Sequence, residues 1–544
     1  MAEQVRPDRP AERTDRLVLG LGVAGVLAVV GWGIFGRASL AAFGKSGLSW
    51  VISTFGWFFV VAADAFLVLS VVLAASRFGR IRLGADDDEP EFSTLAWVSM
   101  MFSTGMGIGL VFYAVAEPIQ HYAAPPPAAG VQPQTGPAAA TAMQYTLFHW
   151  TLHPWGIYAV AALALAYSTF RKGRGSRISA AFAPLLGARA YGPAGQAIDL
   201  LAVFATVFGS ATSLGLGALQ VAAGLDSATG VPDSTAVELV VIAALTAAFV
   251  VSAFTGLHKG IKWLSTSNVV LAVALMVFVF VAGPTIYTLE VLPASVGDYL
   301  SHLVVMSTRT GAFTDPAWLG SWTIFYWAWW ISWAPFVGIF IARISRGRTV
   351  REFVTGVLLV PSAASVVWFA IMGGTALRVQ RTGTRDLVAD VGASAENALF
   401  GLLHALPLAT VTTALAAVLV ALFFVTGADS AALVLGSLSS RGALRPHRGV
   451  VVLWGVLIGA VAAALLLAGG LAALQQATIL VALPFVVVML GLAVSLVREM
   501  AVDPAVRPRP GLRRSGLAAA VRAARSYEEE NPPPVTRWFH RPGR

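Results

Sequence analysis

The sequence contains no cysteine among its 544 residues, so it offers no disulfide framework, no thiolate metal site and no cysteine nucleophile. Charged residues make up only 12% of the chain, too few to cover the surface of a soluble protein of this size. The sequence also has no P-loop for nucleotide phosphates and no nucleophile–base pair, metal-ligand cluster or cofactor loop. A soluble protein, an ATP-driven pump and an enzyme are therefore disfavoured, and no cofactor is expected.

Apolar residues dominate instead. They form 57% of the chain, whose mean hydropathy is +0.74. A membrane-spanning helix needs roughly 20 mostly apolar residues. That length predicts about twelve spans, near residues 17–36, 51–76, 93–116, 138–169, 196–224, 236–256, 263–284, 318–342, 353–376, 405–438, 449–469 and 473–497. The predicted fold class is therefore an all-α integral membrane protein.

The net charge of +9 would suggest a nucleic-acid partner for a soluble protein. Here the basic residues collect in alternate loops, whereas 117–137, 225–235 and 470–474 contain no Lys or Arg. Because Lys and Arg are enriched in cytoplasmic loops, this alternation predicts a multi-pass protein of the plasma (inner) membrane with both termini cytoplasmic. No nucleic-acid partner is expected. The basic tail is interpreted as solvated near the anionic inner leaflet, with a regulatory tail as the alternative.

Two spans carry residues that break helices. Gly105, Gly107 and Gly109 each cost about 1 kcal/mol relative to Ala, so they predict that span 3 unwinds, with helix-packing glycines as the alternative. Pro335 predicts an interruption in span 8. Unwound backbone at membrane depth must be buried in protein or line a cavity, where it can bind ions or substrate.

Sixteen tryptophans are the strongest signal in the sequence. Aromatic residues cluster in two spans, with Trp150, Trp155 and Tyr158 in span 4 and Tyr326, Trp330 and Trp333 on one face of span 8. A quaternary ammonium donates no hydrogen bond and is held by aromatic faces, at roughly 0.5–2 kcal/mol each. The clusters therefore predict an aromatic cage, with an aromatic packing surface as the alternative.

Two histidines of span 4, His149 and His153, are spaced like half of a metal site. Neither a carboxylate nor a third histidine accompanies them in the sequence, so a metal ion there is disfavoured. Hydroxyl groups of span 5 share one helical face, which suits either helix-to-helix hydrogen bonds or ion ligands.

These segments together resemble the betaine/choline/carnitine transporter family from about residue 50 to 500. The resemblance rests on five blocks in the expected order: Gly105–Tyr122, His149–Tyr158, Ala205–Gln220, Trp322–Arg351 and Thr426–Ser430. It implies the leucine-transporter-like fold, in which spans 3–7 and spans 8–12 form inverted repeats preceded by two extra helices. It also implies a homotrimer in the lipid membrane that transports trimethylammonium compounds, often as osmoprotectants.

With that fold the chain divides into six segments. They are a basic cytoplasmic arm (1–16), two additional helices with a loop (17–92), the first repeat (93–284), an extracellular segment with an amphipathic helix (285–317), the second repeat (318–497) and a basic cytoplasmic tail (498–544).

The resemblance also assigns site residues. The substrate cage would comprise Trp150, Trp155, Tyr158 and Trp330. Trp329 and Trp333 would line the pathway or form a second cation–π contact, Phe112 would be an aromatic gate, and Gly107 and Gly109 would lie in the unwound stretch. One sodium site would use the backbone of Ser103 and Met106 together with Thr426, with Phe423 nearby, and a second would use Thr206, Ser210 and Phe336.

One position departs from the family pattern. Sodium-coupled relatives usually have Ser where this chain has Gly427, so one hydroxyl ligand is lost. Span 7 reads Ser267-Asn268-Val269 and lacks the Arg that replaces the cation in sodium-independent relatives. Gly109 matches the zwitterion branch, because choline carriers of the family tend to have Asp there.

The resemblance thus implies a secondary transporter that imports glycine betaine or a similar zwitterion by sodium symport through alternating access. A proton-coupled or sodium-independent choline or carnitine transporter is the alternative, and an osmosensing receptor on the same scaffold is a second. Ectoine and proline stay among the candidate substrates.

Overall fold

Helices account for the regular secondary structure in the computed structural model, which describes residues 14–105, 107–255, 258–313, 316–506, 521–527 and 530. The first half contains α1 (Arg16–Phe35), α2 (Arg37–Ala75), α3 (Thr94–Gly105), α4 (Ile108–Ala123), α5 (Gly136–Trp150), α6 (Leu152–Ala166), α7 (Ala183–Leu186), α8 (Pro193–Thr229), α9 (Thr235–Thr255) and α10 (His258–Ala282). The second half contains α11 (Thr285–Ser307), α12 (Pro316–Leu319), α13 (Phe325–Ile344), α14 (Val350–Thr382), α15 (Leu387–Ala393), α16 (Asn397–His404), α17 (Ala409–Leu438) and α18 (Arg448–Met500).

Eight of the described helices are long and apolar enough to cross a membrane: α1, α2, α8, α9, α13 with its extension α12, α14, α17 and α18. A ninth follows if the bent pair α10 and α11 forms one span. The 53-residue α18 covers the two last predicted spans, which its non-helical Gly469 and Gly470 separate. The spans predicted at 93–116 and 138–169 are each split into two shorter helices. The chain is an all-α membrane protein, and the number of twelve crossings stays a prediction.

Span 3 is broken where its glycines predict. α3 ends at Gly105 and α4 begins at Ile108, and Gly107 between them has extended backbone (φ −157°, ψ 179°). A side chain at Gly107 would meet no atom within 4 Å, because this position faces open space. The unwound stretch therefore borders a cavity, as non-helical backbone at membrane depth is expected to do.

Span 4, predicted as one long helix, is two helices. α5 ends at Trp150 and α6 begins at Leu152, with Thr151 between them at φ −116° and ψ −111°. Pro154 explains the break, because it has no N–H for the carbonyl of Trp150 four residues earlier and its ring clashes with that carbonyl. Trp150 and Trp155 consequently lie at the end of one helix and the start of the next.

The prediction that span 8 is interrupted at Pro335 is wrong. α13 runs without a break from Phe325 to Ile344, with Pro335 inside it. Most of its side chains are buried, and neighbouring helices compensate for a lost backbone bond in such a setting. The irregular part of this span lies earlier, in a π-helical turn at Gly320–Ile324 that joins α12 to α13.

The segment predicted to contain an amphipathic helix between spans 7 and 8 holds α11, which is bent from α10 by 111°. Leu300 and Val304 on α11 are 55% and 73% exposed. Whether α11 lies along the extracellular membrane surface stays a prediction.

An ion-pair cluster joins the end of α18 to the segment after α6. Asp503 accepts hydrogen bonds from the Arg171 guanidinium (2.9 and 3.1 Å) and from the Tyr167 hydroxyl (2.6 Å). Arg171 also donates to the carbonyl oxygen of Gly84 (2.9 Å), in the loop after α2. Burial raises the pKa of Asp503, but these donors outweigh that effect and lower the pKa to about 2.

The most extensive helix contacts bring distant parts of the chain together. α8 packs against α17 and α18, α13 packs against α6, and α4 packs against α5 and α14. The two broken spans and α13, which carry most of the chemically informative residues, are thus neighbours in the interior.

Candidate functional site

A cavity of about 220 Å³ lies between the unwound stretch of span 3 and helices α6, α8, α13 and α17. An aromatic wall comes from the two parts of span 4 and from α13: Trp150, Trp155, Tyr158, Trp329, Trp330 and Trp333. A polar wall comes from α8, α10, α14 and α17: Ser210, Ser213, Asn268, Ser365, Thr426 and Ser430. Among the described residues that line the cavity, none is charged.

The rings of the aromatic wall include both steeply inclined and stacked pairs. The ring centroids of Trp150 and Trp330 are 5.0 Å apart at 73°, and those of Tyr158 and Trp330 are 6.3 Å apart at 75°. Trp329 stacks on Trp330 at 4.9 Å and 11°. A cavity lined by several aromatic rings in different orientations suits a cation without hydrogen-bond donors, because ring faces attract such a cation.

One ring of the aromatic wall is fixed by the broken helix itself. The Trp330 indole N–H donates to the carbonyl oxygen of His149 (3.1 Å), which lies in the last turn of α5. Carbonyls in the last turn of a helix have no helical partner, so they are available to other donors. The break in span 4 therefore positions a side chain of α13.

Two other indoles of the aromatic wall have an N–H group without a hydrogen-bond partner. The indole nitrogens of Trp329 and Trp333 are buried and have no hydrogen-bond partner among the described residues. An unpaired buried donor costs about 1–3 kcal/mol, so each indole N–H would be stabilised by an acceptor that reached it.

The polar wall contains one unsatisfied acceptor. The Asn268 side-chain nitrogen donates to the Thr426 hydroxyl oxygen (2.9 Å), and Asn268 is only 3% exposed. Its amide oxygen is buried without a partner among the described residues. The nitrogen and oxygen of a side-chain amide are told apart by their hydrogen-bond partners. Whichever of the two atoms contacts Thr426, the other atom of the Asn268 amide has no partner among the described residues.

Two glycines shape the wall. A Cβ atom at Gly109 would lie 2.4 Å from Trp329 and 3.1 Å from Trp150, so a side chain there would displace the aromatic wall. A Cβ atom at Gly427 would meet nothing within 4 Å. The cavity therefore excludes Asp at position 109 in its present shape but has room for Ser at position 427.

Most predicted site residues line the cavity. Beyond the aromatic wall, these are Gly107, Gly109, Ser210, Phe336, Phe423 and Thr426. Two do not: Phe112 is fully buried against Tyr113 (4.9 Å between ring centroids), and the Thr206 hydroxyl donates to the carbonyl of Ala202 (2.8 Å). Met106 lies outside the described residues, and only the backbone of Ser103 is described. The roles of gate and ion ligand stay predictions.

Sequence reasoning missed Glu117, a fully buried carboxylate on α4. One oxygen lies 2.7 Å from His149 Nδ1 and 3.3 Å from His121 Nε2. The other accepts from the Trp150 indole N–H (2.7 Å) and the Tyr326 hydroxyl (2.5 Å). Glu117 lies one residue beyond the predicted end of span 3 (93–116), so it was predicted to belong to a loop, whereas the structure places it inside α4. A buried carboxylate in a membrane helix is rare and usually functional.

The expectation that His149 lacks acidic and histidine neighbours is therefore wrong. Glu117, His121 and His149 each offer one ligand atom within 4.8 Å of the others, a geometry that could hold a metal ion. Within this cluster the groups already bond one another, and His149 Nε2 also lies 3.0 Å from the Thr323 hydroxyl. His153 belongs elsewhere: it lies 2.9 Å from Asp64 of α2.

A small uncharged cavity formed where membrane helices are interrupted is the arrangement of a secondary transporter. The family comparison agrees with that class. Residues 17–505 match the model of the betaine/carnitine/choline family transporters, so the chain belongs to this family, whose members are transporters and not enzymes.

Three relatives illustrate the similarity. The chain is 47% identical over 481 residues to the glycine betaine transporter OpuD of Bacillus subtilis, covering 88% of this chain and 93% of that protein. It is 43% identical over 495 residues to a probable glycine betaine transporter of Desulfitobacterium hafniense, covering 90% and 99%. It is 40% identical over 497 residues to the betaine/ectoine transporter LcoP of Corynebacterium glutamicum, covering 90% and 78%.

Proposed function

We propose that the protein imports a trimethylammonium zwitterion, glycine betaine in the first instance, by sodium symport through alternating access. One observation carries the choice of substrate: the cavity combines an aromatic wall with a lining free of charged side chains among the described residues. A zwitterion has no net charge, so it requires no charged partner in the wall. A net cation such as choline would have no charged side chain in direct contact among the described lining residues, and burying a charge without a direct partner is costly.

Each half of glycine betaine has a partner in this site. The trimethylammonium group fits the aromatic wall, where Trp150, Tyr158 and Trp330 face it from different directions. The carboxylate needs donors, and the unpaired indole N–H groups of Trp329 and Trp333 supply them. Hydrogen bonds to an ionised group contribute about 1.5–3 kcal/mol, more than bonds between neutral groups.

Sodium coupling is supported by the polar wall. A hard cation prefers oxygen ligands, and Thr426, Ser210 and Asn268 bring such atoms to the cavity. The unpaired amide oxygen of Asn268 beside Thr426 offers a ligand that replaces the hydroxyl absent at Gly427. We therefore include Asn268 in the proposed sodium site, although the sequence analysis did not name it as a sodium ligand.

The test is uptake of labelled substrate into proteoliposomes. Glycine betaine and choline are compared with an imposed sodium gradient, an imposed proton gradient or neither. Sodium-driven uptake of glycine betaine supports the proposal. Proton-driven choline uptake overturns both the substrate and the ion, and binding without accumulation points to the receptor alternative.

Ectoine is the second candidate, because a relative covering most of this chain is named a betaine/ectoine transporter. Ectoine is also a zwitterion, so the uncharged lining suits it, but it lacks a trimethylammonium group. Competition by unlabelled ectoine against labelled glycine betaine ranks the two substrates in the same assay.

We further propose the assembly and topology that the family resemblance implies: a homotrimer in the plasma membrane with both termini cytoplasmic. Cross-linking of the purified protein in lipid tests the trimer. Accessibility of single cysteines introduced into the cysteine-free chain tests the topology, with labelling expected on the cytoplasmic side for both termini.

A further inference from the structure

Glu117 connects to the aromatic wall although it does not line the cavity. It is fully buried, and its carboxylate is surrounded by His121 on its own helix, by His149 and Trp150 of α5, and by Tyr326 of α13. Of these partners, Trp150 is the one that lines the cavity. The Trp150 N–H and the Tyr326 hydroxyl both donate to one carboxylate oxygen, and a histidine nitrogen of each of His121 and His149 lies within hydrogen-bond distance of the other oxygen. Surroundings with several donors stabilise the ionised form of a carboxylate.

The two neighbouring indoles of the wall are thus bonded differently. The Trp150 N–H donates to a carboxylate at 2.7 Å, whereas the Trp330 N–H donates to a neutral backbone carbonyl at 3.1 Å. Hydrogen bonds to charged acceptors are shorter and about twice as strong as neutral ones. In a water-excluding interior, the negative charge at the edge of Trp150 polarises the ring and makes its face more negative.

We infer that Glu117 is a specificity-determining residue that acts through Trp150 and favours a ligand with a trimethylammonium group over a ligand of the same shape with an uncharged tert-butyl group. A cation over an aromatic face is attracted by the ring quadrupole, so a more electron-rich face holds it more tightly. Glu117 also orients Trp150, but orientation alone would affect the two ligands equally. The inference rests on the proposed function, because it assumes that a quaternary ammonium binds against Trp150.

The experiment compares glycine betaine with 3,3-dimethylbutanoate, in which carbon replaces the positively charged nitrogen. Dissociation constants of both compounds are measured on the purified full chain by tryptophan fluorescence, with 3,3-dimethylbutanoate also tested as a competitor. Wild type is compared with Glu117→Gln, which keeps an amide oxygen for Trp150 but removes the charge. We expect glycine betaine to weaken about fivefold, within the range of one cation–π contact, while 3,3-dimethylbutanoate changes less than twofold.

Tyr326→Phe is the matched control. It removes a second donor to the same Glu117 oxygen but leaves the carboxylate, so the ratio of the two dissociation constants should stay at the wild-type value. Equal weakening of both ligands by Glu117→Gln would overturn the inference and leave Glu117 a structural role. A wild-type protein that does not bind glycine betaine would instead overturn the proposed function.

A second pair of variants keeps the test decisive if Glu117→Gln does not fold. Trp150→Phe and Trp330→Phe each keep an aromatic face and lose an indole N–H. Of these two indoles, only that of Trp150 donates to a carboxylate. Trp150→Phe should therefore reduce the preference for glycine betaine over 3,3-dimethylbutanoate more than Trp330→Phe does. Equal reductions would contradict the inference.

Discussion

Two rings of the aromatic wall, Trp150 and Trp330, and one residue of the polar wall, Asn268, differ in how completely their polar groups are hydrogen-bonded. Trp150 and Trp330 have hydrogen-bond partners outside the cavity, in Glu117 and the His149 carbonyl, and their rings pack against one another. In the polar wall, Asn268 bonds Thr426 with one end and leaves its other end unpaired. The difference teaches that Trp150 and Trp330 are preorganised by contacts outside the cavity, whereas Asn268 keeps one buried polar atom without a partner among the described residues.

Trp330→Ala should have the largest effect of the variants considered, because it removes one aromatic ring of the wall against which we propose that the substrate binds. We expect glycine betaine affinity to fall at least tenfold, as measured by tryptophan fluorescence in detergent, with the protein still monodisperse. Trp57→Ala is the control, since Trp57 is 52% exposed on α2 and should not affect binding. Unchanged binding in Trp330→Ala would remove this ring from the cage.

Asn268→Ala should weaken sodium activation, because it changes the polar wall. It deletes the unpaired amide oxygen, so we expect the sodium concentration for half-maximal uptake to rise about tenfold, while maximal uptake at saturating sodium changes less. Sodium titrations of glycine betaine uptake measure both quantities. If sodium activation is the same as in wild type, Asn268 is not an ion ligand.

Gly427→Ser should have a smaller effect of opposite sign. The added hydroxyl has room, because nothing lies within 4 Å of a Cβ atom there, and it supplies an oxygen beside Thr426. We expect the half-maximal sodium concentration to fall about threefold, and to fall further when the same change is made in Asn268→Ala. A change that is equal in both backgrounds would mean that the two residues act independently.

Thr206→Ala should have the smallest effect on sodium activation, and the single variant Ser210→Ala is its comparison. Ser210 lines the cavity, whereas the Thr206 hydroxyl is already bonded to the carbonyl of Ala202. We expect Thr206→Ala to change sodium activation less than twofold and Ser210→Ala to change it more. The reverse order would show that Thr206 turns toward an ion during transport.

The sequence predicted the helical membrane fold and the aromatic wall because both depend on local patterns. Runs of about 20 apolar residues identify spans, and Trp150, Trp155 and Tyr158 lie within nine residues of one another. The glycines of span 3 likewise act on their own backbone, so their effect was predictable. The family resemblance then connected these patterns to one cavity.

What the sequence could not predict depends on contacts between distant segments. The donors to Glu117 from α5 and α13 are 32, 33 and 209 residues away, so no local pattern brings them together. Pro335 looked like a break because the packing of α6, α8 and α18 around α13 is equally invisible in the sequence. The spacing of Thr206 and Ser210 places both on one helical face, but it does not say which of them reaches the cavity.

The cluster around Asp503 has a consequence for the order in which the protein is made. Arg171 precedes its partner Asp503 by 332 residues, so it emerges from the ribosome long before that partner exists. Until α18 has been synthesised and inserted, the guanidinium and the Tyr167 hydroxyl lack the carboxylate that joins them. The segment after α6, the helix that carries Trp155 and Tyr158, therefore acquires this anchor only as the last helix is completed.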